Sequence, residues 1–180
     1  MTTKKCKKCL EHFKPYNTIQ KHCFKCALEL AKSKAKSNER KAWTKRKTKI
    51  RDSLKTKTQK INEARTIYQQ YIRARDKTKP CISCETTTAT KWDAGHYLKA
   101  ELYTGLIFNE DNCHKQCQRC NQYGGGMQAE YRIGLVKRLG QTKVEYLESI
   151  KDSLRVYKWE DSELEELKKK YKNLLKQFGG

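Results

Sequence analysis

The sequence predicts a mostly helical α+β fold with a small metal-stapled core, flanking helices and an N-terminal zinc finger. Apolar residues recur at helical spacing over residues 61–76 and 164–178. Residues 86–108, rich in Thr, Trp, Tyr and Ile, predict short strands and loops. Eight of the nine cysteines stand in C-x2-C pairs, the spacing of zinc ligands. Because only 36% of the chain is hydrophobic, structural metal would supply folding energy that a small core lacks.

Residues 1–27 predict a four-cysteine zinc finger. The pattern is C-x2-C-x13-C-x2-C, and two such tight turns can complete a tetrahedron of sulfurs around Zn²⁺. His12 and His22 flank this site and are alternative ligands, although surface or nucleic-acid contacts fit them better. The predicted ligands are Cys6, Cys9, Cys23 and Cys26.

Residues 28–60 predict a basic helical or flexible DNA-binding arm. The chain carries a net charge of +21, and residues 1–80 hold 25 Lys and Arg against 6 Asp and Glu. A helix without an apolar stripe is marginal in water, so we expect this segment to order on a partner. A solubilising disordered tail is the alternative. Trp43 can stack on a base or anchor against the core. The predicted DNA-binding residues are Trp43, Lys45, Arg46, Lys47, Lys49 and Arg51.

Residues 61–180 predict one further domain, closed by helices. The helix over 61–76 ends before Pro80, and Asn112–Gln122 predicts a short helix that the run of glycines after it breaks. Two short helices follow, with apolar faces over residues 131–139 and 144–150. The last helix, capped by Asp161 or Ser162, packs on its own core or forms a dimer interface.

A second set of four cysteines encloses the residues that carry chemistry. Its spacing is C-x2-C-x32-C-x2-C, and Cys113 is left over as a packed thiol. A neutral imidazole can activate water, a divalent ion can stabilise charge on phosphoryl oxygens, and an amide can orient the imidazole. This combination indicates metal-assisted phosphodiester cleavage. The zinc ligands are Cys81, Cys84, Cys117 and Cys120, and the enclosed or adjoining residues are Asp93, His96, Asn112, His114 and Asn121.

These motifs carry a family resemblance. His96, Asn112 and Asn121, framed by the second four cysteines, resemble the HNH (ββα-metal) endonucleases in their four-cysteine zinc form. The chain also resembles the phage NinG (Rap) recombination proteins over nearly its whole length. The resemblance is carried by the motifs W-D-A-G-H-Y and F-N-E-x-N-x-H-K-Q-C-x-x-C-N-Q, together with the N-terminal cysteines and the basic linker. The resemblance implies a structure-specific endonuclease acting on Holliday junctions and D-loops. It also implies His96 as general base, Asn112 as the loop residue, and Asn121 at a metal-coordinating third position.

The chain departs from the family pattern at one place. Many HNH enzymes have an Asp-His dipeptide where this chain has Gly95-His96. Asp93 or His114 must then supply the missing ligand, and we favour Asp93 because a carboxylate suits Mg²⁺ or Mn²⁺. The resemblance thus predicts two structural Zn²⁺ and a catalytic Mg²⁺ or Mn²⁺. The alternatives are a non-catalytic zinc-dependent nucleic-acid-binding protein and a nuclease for linear duplex.

The expected partner is branched or junction DNA, with a homodimer favoured because two cuts require two active sites. No apolar run approaches the roughly 20 residues that span a bilayer, and the N-terminus has no signal-peptide pattern. We therefore expect a cytoplasmic protein, in the host cell if the chain is phage-encoded, with its cysteines reduced.

Overall fold

A computed structural model describes residues 3–178. The chain divides into two compact units, Met1–Lys55 and Thr56–Gly180. The predicted finger and most of the predicted arm therefore lie in one unit, and the boundary falls five residues before the expected residue 60. None of the helices within residues 3–178 has the length and apolar character needed to cross a membrane.

The N-terminal unit consists of a short hairpin and one long helix. Strands β1 (Lys4–Lys5) and β2 (His12–Phe13) pair antiparallel, and helix α1 spans Phe24–Ser53. Helix α1 forms without an apolar stripe because it is built from Ala, Lys, Arg and Glu, which lose little side-chain freedom in a helix. Residues 27–54 are exposed. Trp43 is 62% exposed on the surface of α1.

The C-terminal unit is built around an antiparallel hairpin. Its strands, β3 (Trp92–His96) and β4 (Cys113–Cys117), pair with Asp93 opposite Gln116 and His96 opposite Cys113. The helices in this unit are α2 (Lys57–Arg75), α3 (Gln128–Leu139), α4 (Gln141–Ile150) and α5 (Asp161–Lys176). A π-helical segment, Arg119–Tyr123, follows β4. This architecture agrees with the predicted mostly helical α+β class.

Two apolar clusters hold the hairpin between pairs of helices. Ala94 and Cys113 pack in one cluster with Tyr68 of α2 and Tyr171 of α5. The second cluster joins α3 to α4, and the Tyr131 hydroxyl of α3 donates to the Gly95 carbonyl at 2.7 Å. The apolar face of α5 is thereby covered within the chain, as the core-packing alternative expected.

The predicted helix over Asn112–Gln122 is wrong. Residues 113–117 form β4, all five of them buried, and a helical turn begins only at Arg119. Because helices cover both faces of the hairpin, β4 lacks the polar–apolar alternation that marks a strand in sequence.

Two helix starts also differ from their predictions. Helix α2 begins at Lys57, with a capping box between Thr56 and Gln59. Helix α5 is capped by Glu160 rather than Asp161 or Ser162. The Glu160 side chain accepts the backbone N–H of Glu163, and the Glu163 side chain accepts the backbone N–H of Glu160. Several acidic residues stand together here, so the sequence alone does not show which of them caps the helix.

A buried carboxylate joins α2, β4 and α3. Asp76 accepts hydrogen bonds from the Arg75 Nη2 at 2.8 Å, the Lys79 Nζ at 2.9 Å and the Lys115 backbone N–H at 3.1 Å. Arg138 of α3 lies 3.7 Å away. Burial by itself would raise the pKa of Asp76, but the hydrogen bonds that it accepts and the nearby cations outweigh burial and hold this pKa well below its usual range.

Asp76→Asn should lower the free energy of unfolding by about 3 kcal/mol, because it leaves two partly buried guanidinium groups, those of Arg75 and Arg138, without their anion. Urea denaturation of the zinc-loaded protein measures the loss. The control is Asp161→Asn, which removes an exposed carboxylate that also pairs with two cations, Lys57 and Lys60. Its loss should be far smaller. Equal losses for the two variants would contradict the role given to Asp76.

Candidate metal centres and the adjoining cleft

The eight paired cysteines form two tetrads. The four Sγ atoms of each tetrad lie within 4.8 Å of one another. The Sγ atoms of Cys9 and Cys23 are 3.8 Å apart, and so are those of Cys84 and Cys117. Tetrahedral zinc with Zn–S bonds of about 2.3 Å separates its sulfurs by about 3.8 Å. Both tetrads therefore fit structural zinc by donor type and spacing.

The first turn of each tetrad has the same backbone geometry. The residue after the second cysteine adopts a left-handed conformation, with φ of 65° at Leu10 and 56° at Glu85. In both turns that residue donates its N–H to the carbonyl of the first cysteine at 3.0 Å. The first cysteine's Sγ in turn accepts the N–H of the third cysteine, at 3.3 Å and 3.4 Å respectively. These hydrogen bonds fix the first turn of each tetrad and connect it to the third cysteine.

Three other candidate ligands lie outside the tetrads. Among the described residues, His12 and His22 join neither group of four. Cys113 is buried in the core between the helices, where burial raises the pKa of its thiol to about 12. It is therefore a protonated packed thiol, as predicted from its isolation in the sequence.

A cleft of about 460 Å³ opens beside the second tetrad. Strand β3 contributes Asp93 and His96 to its lining, and the π-helical segment contributes Asn121. Because Cys120 directly precedes Asn121, and Cys117 lies opposite Trp92, the tetrad holds both of these walls in place.

His96 is held as a neutral imidazole. Its Nε2 lies 2.9 Å from the Ile107 carbonyl, and since a carbonyl can only accept, Nε2 carries the proton. The Nδ1 atom then carries the free lone pair. Burial lowers the pKa of His96 to about 4, and nearby Arg65 contributes in the same direction. At neutral pH the ring is uncharged and able to accept a proton.

Asp93 and Asn121 are in direct contact at the cleft. The Asn121 Nδ2 donates to the Asp93 Oδ2 at 3.0 Å, and the Gln122 Nε2 donates to the same oxygen at 2.9 Å. The Asp93 side chain is 15% exposed. A carboxylate and an amide oxygen at the edge of a cleft are the oxygen ligands that Mg²⁺ and Mn²⁺ take.

Asn112 holds the loop between the two strands. It is fully buried, and its Nδ2 donates to the carbonyls of Leu98 at 3.0 Å and Leu106 at 3.3 Å. Its Oδ1 accepts the Leu98 N–H at 2.8 Å. These bonds fix the chain that leaves His96, so Asn112 positions the site without lining the cleft.

His114 is not brought to the cleft, which corrects its prediction as an alternative ligand. It is 3% exposed, with Nδ1 3.4 Å from Asp76 and Nε2 3.3 Å from the Asp111 carbonyl. Its ring tilts against Tyr131, on the side of the hairpin covered by α3. The Nδ1 atom accepts a hydrogen bond from the Arg75 Nη2 at 3.0 Å, so both ring nitrogens have partners away from the cleft.

Gln116 fills a space that Gly95 leaves open. The Gln116 side chain is fully buried, and its Nε2 donates to the Ser83 Oγ and the Gly126 carbonyl, both at 2.8 Å. Its Oε1 accepts no hydrogen bond from any described residue. A Cβ at residue 95 would collide with this oxygen and would stand 3.1 Å from the Asn121 Oδ1. The close approach therefore requires glycine at residue 95.

Sequence reasoning missed the cationic wall of the cleft and Gln116. Arg65, Gln69 and Arg73 line the cleft from α2. Their spacing of four places them on one helical face, a signal that could have identified them. A glycine within a strand, such as Gly95, likewise indicates that another group packs closely against the backbone there, but the sequence does not identify that group.

The fold and the tetrads define a strongly basic protein with two four-cysteine sites, one of which adjoins a polar cleft. The chain belongs to the NinG family: the family model described as Bacteriophage Lambda NinG protein matches residues 1–179. It is 37% identical to protein ninG of Escherichia phage 933W, covering 96% of this chain and 92% of the relative. It is 40% identical to protein ninG of Escherichia phage lambda, covering 72% and 63% respectively. No solved structure matches the chain.

The purified protein should contain two zinc ions per chain. Cys9→Ser and Cys84→Ser should each lower the count to one, because three sulfurs hold zinc less tightly than four. Cys113→Ser, the control, should keep two. Elemental analysis after gel filtration measures the ratio. A full zinc content in both tetrad variants would contradict the ligand assignment.

Proposed function

We propose that this protein is a divalent-metal-dependent HNH-type endonuclease that cuts branched DNA such as Holliday junctions and D-loops. The observation that carries the proposal is the neutral His96 imidazole, whose tautomer is fixed in the same cleft as Asp93 and Asn121. The antiparallel hairpin that leads into a helical segment is the arrangement expected of a ββα-metal core.

His96 has the properties of a general base. In the proposed reaction its Nδ1 accepts a proton from water as the water oxygen forms a bond to phosphorus. The bond between phosphorus and the leaving sugar oxygen breaks in the same displacement. The Ile107 carbonyl keeps the proton on Nε2, and Asn112 holds the loop that carries Ile107.

Asp93 and Asn121 are the proposed ligands of the catalytic Mg²⁺ or Mn²⁺. Their oxygens suit either ion, and Asp93 needs little reorientation because two amides already hold it at the cleft. A bound divalent ion would supply charge stabilisation at the phosphoryl and leaving oxygens.

The charge around the cleft favours a phosphate backbone as substrate. Arg65, Arg73 and Lys99 line it against Asp93 and Glu101. The Arg65 Nη2 lies 3.3 Å from the Glu101 carboxylate, but Glu101 is 68% exposed. Such an exposed pair is weak and can yield to a phosphate.

The exposed basic helix α1 supports binding by DNA structure rather than by sequence. Its predicted DNA-binding residues are solvent-exposed, and Lys and Arg contacts to phosphates carry no sequence information. Trp43, 62% exposed, is available to stack on an unpaired base such as those at a branch point. A homodimer would supply the two active sites that symmetric cutting of a four-way junction requires.

His96→Ala should abolish cleavage of a four-way junction while leaving junction binding and zinc content intact, because only the proton acceptor is removed. Cleavage is measured by strand-resolved gels with Mg²⁺ or Mn²⁺, and EDTA should stop it. His12→Ala replaces an exposed histidine in the N-terminal unit and should cut at the wild-type rate.

Other outcomes of that assay would identify the competing functions. A wild-type protein that binds the junction but cuts with neither metal would be a non-catalytic nucleic-acid-binding protein. Equal cutting of linear duplex and junction would indicate a nuclease without structural preference. A His96→Ala variant that cuts at the wild-type rate would contradict the assignment of the base.

Neutralising Lys45, Arg46 and Lys47 to Gln should weaken junction binding and flatten its salt dependence. The slope of log K against log salt should fall by about 1 for each phosphate that the variant no longer neutralises. Fluorescence anisotropy across a salt series measures the slope. The matched control replaces three exposed lysines of the C-terminal unit, Lys158, Lys169 and Lys172. An equal weakening in the control would mean that net charge, not α1, governs binding.

A further inference from the structure

We infer that the side-chain oxygen of Gln116 is a ligand of the divalent ion, replacing a carboxylate that residue 95 does not have. This inference rests on the metal site of the proposed function. It assigns a third protein oxygen, carried by β4, to a site whose other ligands lie on β3 and the π-helical segment.

The orientation of the Gln116 amide is fixed by its partners. Nε2 must face the Gly126 carbonyl, which can only accept, and it also contacts the Ser83 hydroxyl. The oxygen is thereby directed away from both. It accepts no hydrogen bond within residues 3–178, although Gln116 is fully buried. A buried acceptor without a donor is destabilising, and a cation would satisfy it.

Two amide oxygens meet where a side chain at residue 95 would begin. A Cβ at residue 95 would collide with the Gln116 Oε1, and the Asn121 Oδ1 lies 3.1 Å from the same Cβ position. Asp93 is directly opposite Gln116 in the hairpin, so both side chains project from the same face. The Asn121 Nδ2 is bonded to Asp93, which leaves the Asn121 Oδ1 facing Gly95 and Gln116.

The chemistry of this set is that of a hard divalent cation. One carboxylate and two amide oxygens suit Mg²⁺ or Mn²⁺, whose remaining positions are taken by water and substrate phosphate. A glycine at residue 95 is then part of the site, because any side chain there would displace the Gln116 oxygen.

The test is Mn²⁺ binding to the zinc-loaded full chain without DNA, measured by electron paramagnetic resonance. Gln116→Ala should weaken Mn²⁺ binding at least about tenfold, the loss typical of a disrupted metal shell. Gln116→Glu should tighten binding by a similar factor, because it adds a negative charge. Gln141→Ala, at an exposed position on α4, is the matched control and should bind like wild type.

A rescue variant separates a ligand from a merely structural residue. Gly95→Asp combined with Gln116→Ala moves the oxygen from β4 to β3 and should restore Mn²⁺ affinity to within a few fold of wild type. A residue needed only for packing would not be rescued in this way. Circular dichroism and a zinc content of two identify the variants that have folded.

Two results would overturn the inference. If folded Gln116→Ala binds Mn²⁺ as tightly as wild type while Asp93→Ala does not, the divalent site stands and Gln116 is no ligand. If Gln116→Ala fails to fold, unchanged affinity in Gln116→Glu has the same meaning. The absence of any Mn²⁺ binding by wild type would overturn both the metal site of the proposed function and the role of Gln116.

Discussion

The register of the β3–β4 hairpin is the constraint on which the rest of the C-terminal unit depends. Pairing Trp92 with Cys117 and His96 with Cys113 places a zinc-type ligand at one end and the imidazole at the other. A shift of one residue would turn every side chain to the opposite face. The tetrad would lose Cys117, and the buried cation cluster would lose His114. The short strands need support from outside the ladder, since two strands alone are marginal.

That support reaches β4 at its middle and at its C-terminal end. Asp76 accepts the backbone N–H of Lys115, which ties the strand to the end of α2, and the second tetrad holds Cys117. Both are polar or metal-binding devices, as expected of a chain in which 36% of residues are hydrophobic. The apolar clusters pack against the same hairpin. The same contacts hold the cleft residues in place. Asp93 and His96 belong to the paired strand β3, and Asn121 directly follows Cys120 of the tetrad.

The sequence located much of the candidate site. Cysteine spacing identified both tetrads, because two thiols separated by two residues converge over one tight turn. The motif around His96 and Asn121 placed both at the cleft, with Asp93 as the favoured partner. Prediction from the sequence was wrong for β4, a fully buried strand that was predicted as a helix. It was also wrong for His114, which was predicted as an alternative metal ligand. His114 was offered because Gly95 lacks a carboxylate, but β4 places its ring beside Asp76 and Tyr131 and away from the cleft.

The sequence by itself determined the family, the mostly helical class, the two cysteine tetrads and the concentration of positive charge before residue 80. These follow from composition and from contacts between residues close in the chain. Only the tertiary structure decided that Arg65, Arg73 and Asp93 line one cleft and that His114 does not. The reason is that strand pairing and helix packing join residues far apart in sequence. Which side chain fills the gap above Gly95 depends on the strand opposite it, and no local pattern encodes that pairing.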